Sequence, residues 1–202
     1  MNQRPYAESA DQNKQVIADV LVRVFTKTAK VLELGAGTGQ HARYFASLFT
    51  HLHWTPTEMA EQMSTLELGV AESGFPNLDE AIPVNVSDDT THPNKEMPFE
   101  YIYTANTMHI MPWQSVLDMI SMIGKALSPG GIFASYGPYN QNGKFTSESN
   151  KRFDQILKAR GVGSGLRDID DIKFECNAVG LELSEIVEMP VNNKILVWTM
   201  QE

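Results

Sequence analysis

The chain has 202 residues, 42% of them hydrophobic and 20% charged, which is enough for one full core and marginal for two. A formal net charge of -9 repels a phosphate backbone, and the longest basic cluster is the pair Lys151-Arg152, so nucleic acid is not expected as a partner. The single cysteine, Cys176, excludes an internal disulfide, a CxxC redox pair and a thiolate zinc cage.

The first ten residues are polar and lack a signal-like apolar core. No run approaches the roughly 18 apolar residues of a membrane span. The expectation is one cytoplasmic domain, 1–202, with no membrane partner. Residues 11–26 carry Val16, Ile17, Val20, Leu21, Val24 and Phe25 on one helical face, with Asp11 as its cap and 1–28 forming an N-terminal helical cap. Residues 30–34 read as a buried strand ending in glycines, and 40–48 return to helical spacing. A second strand is expected at 52–56, then a helix at 59–71 closed by Ser73-Gly74-Phe75-Pro76. Third and fourth strands follow at 81–86 and 99–105, with a surface loop around His92-Pro93-Asn94-Lys95-Glu96 between them.

A helix is predicted at 112–127, a turn at Ser128-Pro129-Gly130-Gly131 and a fifth strand at 132–136. Helices near 146–160 and 168–179 precede strands at 181–189 and 194–200, joined by the hairpin signal Pro190-Val191-Asn192-Asn193. The polar, glycine-dotted stretch 140–168 reads as an insertion serving as a lid. Five strand-plus-helix units imply an α/β fold with a mostly parallel sheet and helices on both faces. The terminal hairpin brings the sheet to seven strands and adds an antiparallel one.

Glycines after a first strand and before a helix mark a ligand turn at the carboxyl edge of such a sheet. In Glu33-Leu34-Gly35-Ala36-Gly37-Thr38-Gly39-Gln40 the glycines fall at 35, 37 and 39, off the G-x-G-x-x-G register of dinucleotide sites. Glu33 places a carboxylate at the strand end. An anion there disfavours a pyrophosphate and suits the ammonium and sulfonium groups of S-adenosylmethionine (SAM). Glu58 ends the second strand, where an acidic residue accepts ribose hydroxyls in Rossmann-like sites; a helix N-terminal carboxylate is the plainer alternative.

The E-L-G-x-G-x-G pattern resembles the first motif of class I methyltransferases. More of the chain resembles one uncharacterised methyltransferase-like family, domain-of-unknown-function family 938, which includes methyltransferase-like protein 26. The likeness rests on residues 32–41, Trp54-Thr55-Pro56-Thr57-Glu58, Ala105-Asn106-Thr107-Met108-His109-Ile110, Tyr136-Gly137-Pro138-Tyr139, Phe145-Thr146-Ser147-Glu148-Ser149-Asn150 and Gly165-Leu166-Arg167-Asp168. It implies a single Rossmann-like SAM-dependent methyltransferase domain with S-adenosylhomocysteine (SAH) as product. Gly35, Ala36, Gly37, Thr38 and Gly39 would then cradle the cofactor, beside Glu33 and Glu58. Asn85 and Val86 would meet the adenine, and the motif after the fourth strand, residues 104–110 with Asn106 among them, would line the methyl donor and the substrate mouth. The family often carries Asp in the ribose region, where this chain has Glu58.

Methyl transfer needs a base only if the acceptor must lose a proton. His109 is the base candidate, with a backbone-bonded loop histidine as the alternative. Tyr139 is a candidate wall of the acceptor pocket, or ordinary packing. Arg167 would meet an anionic group or be a solvated arginine. Arg4, Tyr6 and Asn13 would fold over the cofactor. Met108, Met111, Met119 and Met122 read as core filler rather than a binding strip. The histidines show no metal-ligand spacing, so no metal is expected. With no added substrate domain, a small-molecule acceptor is favoured; a non-catalytic SAM- or SAH-binding regulator is the competing function.

Overall fold

The alternation of apolar and amphipathic stretches folds into one central sheet covered on both faces. The computed structural model describes residues 4–71, 73–93, 96–161 and 163–202. In chain order the elements are α1 (Glu8–Val24), β1 (Ala29–Leu34), α2 (Gln40–Leu48), β2 (Leu52–Glu58), α3 (Met63–Val70), β3 (Ile82–Pro83), β4 (Phe99–Ala105), α4 (Trp113–Ala126) and β5 (Leu127–Gly137). There follow β6 (Tyr139–Gln141), β7 (Lys144–Phe145), α5 (Glu148–Lys158), β8 (Arg167–Asp168), α6 (Ile169–Ala178), β9 (Leu181–Met189) and β10 (Asn193–Met200).

The seven-stranded sheet runs β3-β2-β1-β4-β5-β10-β9. Neighbours from β3 to β5 are parallel, and β10 is antiparallel to both β5 and β9. This is the α/β architecture expected from the sequence: a seven-stranded, mostly parallel, Rossmann-like sheet with an antiparallel C-terminal strand. Strand order reverses between β1 and β4, which places the glycine turn at the topological switch point.

Two cores flank the sheet. Leu32, Leu34, Ile102 and Phe133 pack with the buried faces of α4 and α6. Val31, Trp54, Tyr101 and Tyr103 pack with α1 and α2. Because side chains alternate along a strand, Glu33 shares the second face, among aromatic rings.

Several boundaries differ from expectation. Helix α1 begins at Glu8 after Ala7, so Asp11 is not its cap but lies in the first turn, paired with Lys14. The third strand shrinks to Ile82–Pro83, since Pro83 has no N–H for the ladder. Ser128-Pro129-Gly130-Gly131 is a kinked beginning of β5, with a register shift opposite Phe99–Tyr101 and Gly130 at φ +70. The 140–168 segment holds most of a second sheet, β7-β6-β8, that the sequence pattern did not announce. Residues 1–3 of the N-terminal cap, Asn94 and Lys95 of the expected loop, and Val162 of the insertion lie outside the described residues.

Candidate functional site

The turn after β1 is held by its neighbours. The Ala36 N–H donates to the Thr57 carbonyl at 2.9 Å, and the Gly39 N–H to the Ala36 carbonyl at 2.9 Å. The Glu58 carboxylate accepts from the N–H of Gly37 and from that of Met59, each at 2.9 Å. It therefore ties the end of β2 to the middle of the glycine turn. A Cβ on Gly35 would stand 2.8 Å from Thr107 Oγ1, and one on Gly39 2.7 Å from Val70 Cγ1. Close approach thus explains these two glycines, while Gly37, at φ +56, faces open space. The Thr38 carbonyl is pressed by α3: a Cβ on Gly69 would come within 2.0 Å of it.

Beside this turn is a cavity of about 410 Å³ lined by Gly35, Glu58, Asn85, Val86, Thr107 and Met119, among others. It brings together four of the sequence-predicted cofactor residues: Gly35, Glu58, Asn85 and Val86. Ala36, Gly37, Thr38 and Gly39 shape the turn without lining the cavity. The Asn85 Oδ1 accepts from the Ser87 N–H at 3.0 Å, and the Asn85 N–H donates to Thr91 Oγ1. Met108, Met119 and Met122 belong to the buried core and Met111 packs against it; Met111 and Met119 also border this cavity. Thr107 and Ile110, from the expected stretch 104–110, line this cavity; Met111 was missed, and its place just past β4 was the available signal.

Glu33 does not line the cavity. Its carboxyl is 2% exposed and accepts from the Trp54 indole N–H at 2.6 Å. Burial pushes it up to about 8, against the smaller opposing effect of the Trp54 bond. At neutral pH it is mostly uncharged, which removes the fixed anion expected at this strand end.

A second cavity, of about 460 Å³, lies on the other side of the turn after β4. Asn13, Asn106, Tyr136, Asn150, Phe153 and Asn193 are among its walls. Asn106 faces this cavity and Thr107 the first. The left-handed backbone of Asn106, φ 57, suits Asn, whose short polar side chain tolerates that region. Asn106 therefore belongs to the partition between the cavities, not to the lining of the first.

His109 lines neither cavity. Its ring packs edge-on to Phe153 at 5.4 Å, and burial, with Arg167 and Arg160 nearby, pushes it down to about 4. Tyr139 is 2% exposed within the core, and burial drives its hydroxyl well above the ordinary value. The tyrosine that reaches the second cavity is Tyr136, because β5 and the short β6 turn Tyr139 toward the α4–α6 core. Arg167 is no anion receptor. Its guanidinium donates to the carbonyls of Met108, Met111 and Gly163 and lies 5.7 Å from the Trp113 ring, so it pins the segment after β4.

In the N-terminal segment, Asn13 reaches the second cavity. Arg4 and Tyr6 instead border a separate hollow with Gln40, Arg43 and Tyr44. Asn13 is also one end of a buried chain. His41 Nε2 lies 2.7 Å from Asn13 Oδ1, and the Tyr103 hydroxyl lies 3.2 Å from His41 Nδ1. Burial pushes His41 down to about 4. Among the described residues no group of three His, Cys, Asp or Glu side chains is placed to hold a metal ion.

A family model described as "Protein of unknown function (DUF938)" matches residues 4–200. Among solved structures, an O-methyltransferase family protein from Burkholderia thailandensis is similar, with a TM-score of 0.79 at 14% identity over 96% of this chain and 58% of that one. Human N-acetylserotonin methyltransferase, solved in complex with SAM, gives 0.78 at 12% identity, over 96% and 53%. PigF, solved with SAH, gives 0.77 at 14%, over 95% and 56%. The chain spans just over half the length of these structures, and at such identities the likeness is one of fold.

Proposed function

The chain belongs to the DUF938 family, and we propose that it is a SAM-dependent methyltransferase acting on a small-molecule acceptor. The observation that carries this reading is the pair of cavities parted by Asn106 and Thr107 at the switch point of the sheet. One would hold the cofactor and the other the acceptor. The neighbours of like fold solved with SAM and with SAH support the same reading.

The residues of the first cavity fit SAM. Its volume lies within the usual range of small-molecule sites. Leu34, Val84, Val86 and Met119 offer apolar walls for a purine, and the Glu58 carboxylate offers acceptor oxygens for ribose hydroxyls. The open face of Gly37 leaves room for close backbone approach. Bound SAM would supply an electrophilic methyl group: the acceptor lone pair forms the new bond while the carbon–sulfur bond breaks and its electron pair stays on sulfur.

The chain's own contribution is placement. Arg167 holds the segment that follows the Asn106–Thr107 wall through the Met108 carbonyl and ties it to Gly163. Orientation of this kind contributes on the order of 7–11 kcal/mol to lowering a barrier. Calorimetry should show SAM and SAH binding to the purified chain, with methyl transfer in a metabolite screen using labelled SAM. Binding of neither ligand refutes the proposal. The position of His109 outside the second cavity favours one second reading, a SAM- or SAH-binding regulator without catalysis. SAH binding with no turnover across such a screen would select it.

A further inference from the structure

The walls of the second cavity carry hydrogen-bonding groups but no charge. Among the described residues lining it there is no Asp, Glu, Lys, Arg or His. A carboxylate or phosphate entering there would lose its water without meeting a cation. A cationic acceptor would find no carboxylate, and would stand beside the sulfonium of the proposed cofactor. Flat apolar surface comes from Phe153, Pro138 and Pro190, and amides from Asn13, Asn106 and Asn150.

The polar groups also have a direction. Tyr103 is fully buried, and His41 Nδ1 is the hydrogen-bond partner of its hydroxyl among the described residues. A buried O–H is costly to leave unpaired, so Tyr103 donates to Nδ1. A neutral imidazole then carries its one proton on Nε2, which donates to Asn13 Oδ1. With its carbonyl oxygen engaged, Asn13 presents its NH2 group to the cavity side. Asn13, Tyr136 and Asn193 line this one cavity, and both carboxamides act on the Tyr136 hydroxyl against the burial that raises it. The Asn193 NH2 also donates to the Pro190 carbonyl at 3.2 Å, and an amide donor from Asn13 would leave the phenolic proton for a ligand.

Resting on the methyltransferase reading, we propose that the second cavity takes an uncharged, planar acceptor bearing a carbonyl or ring nitrogen, which receives a hydrogen bond from the Tyr136 hydroxyl. The buried chain Tyr103–His41–Asn13 positions that hydroxyl. His41 acts through Asn13 and touches no substrate.

The test uses the full chain saturated with SAH. Quinoline and 4-hydroxyacetophenone are titrated beside quinoline-4-carboxylate and 4-acetylphenyl phosphate, with binding followed by ligand-observed NMR. The neutral probes should bind at least tenfold more tightly than their charged counterparts. Tyr136→Phe should weaken the neutral probes about fivefold. His41→Leu should weaken them similarly, and His41→Gln, which keeps a donor, should restore affinity to within about twofold. A merely structural role for His41 would show no such rescue. Equal binding of charged probes, no binding of neutral ones, or an unchanged affinity in Tyr136→Phe overturns the inference. If His41→Leu does not fold, Tyr136→Phe decides. Failure of SAH to bind the unaltered chain would sink the methyltransferase reading and this inference together. SAH binding with the wrong probe pattern would sink the inference alone.

Discussion

Glu33 puts an ionisable group where the fold prefers a neutral one, and the cost should be visible in stability against pH. Its carboxyl ordinarily titrates near 4.5 and is held near 8 in the fold. The folded value lies above the unfolded one, so the group's contribution is fully present below 4.5 and is lost as pH rises through 8. Each pH step in that window costs about 1.4 kcal/mol. His41 and His109 run the other way. Both are pushed from 6.5 to about 4, so their contribution is complete above 6.5 and is lost as pH falls toward 4. Between pH 6.5 and 8, Glu33 is the group among these three still titrating. The native chain should lose about 2 kcal/mol across that interval. Glu33→Gln retains an oxygen for the Trp54 indole and cannot ionise. It should therefore be nearly flat from pH 6.5 to 8 and more stable than the native chain at pH 8, by roughly 3–5 kcal/mol. Urea unfolding at three pH values would read this as a midpoint shift of a molar or more. A native chain with no pH dependence, or a variant less stable by the same amount throughout, would refute the account of Glu33.

Removing the Glu58 carboxylate with Glu58→Ala deletes its bonds to the Gly37 and Met59 amides. SAH affinity by calorimetry should fall at least tenfold, about 1.4 kcal/mol. Gly69→Ala adds a methyl within 2.0 Å of the Thr38 carbonyl; the glycine turn must shift, and SAH binding should weaken although Gly69 lies on α3, outside the cavity lining. Asn77 donates to the carbonyls of Ala46, Phe49 and Leu52, so Asn77→Ala should destabilise the fold by about 2–3 kcal/mol in chemical unfolding. Val191 holds φ 58 while 81% exposed. Val191→Gly should therefore raise stability by about 1 kcal/mol, measured as a higher thermal midpoint.

The sheet was legible because β1, β4 and β10 are short apolar runs and the glycine turn follows the first of them. The cofactor half of the site was legible for the same reason: Gly35, Glu58, Asn85 and Val86 sit at or just past strand ends, and parallel strands bring their ends to one edge. What stayed hidden depended on side-chain direction and on partners distant in sequence. Nothing local distinguishes a Glu33 facing ligand from one facing Trp54. Asn13, Tyr136 and Asn193 come to line one cavity only once α1 and the last hairpin have packed. Tyr136 and Tyr139 differ by three positions, and the end of β5 decides which of them reaches the second cavity. Pro83 shortened a strand that Val84 and Val86 seemed to extend; those valines line a cavity or pack its walls instead.

The turn after β4 is a party wall. A single peptide link between Asn106 and Thr107 has one cavity on each side, so a displacement that enlarges one compartment shrinks the other. If both compartments are filled as proposed, any coupling through that wall is reciprocal. Whatever factor a ligand on the Thr107 side applies to affinity on the Asn106 side, a ligand on the Asn106 side returns. Filling either compartment first is thermodynamically the same transaction, and the order of arrival is left to kinetics.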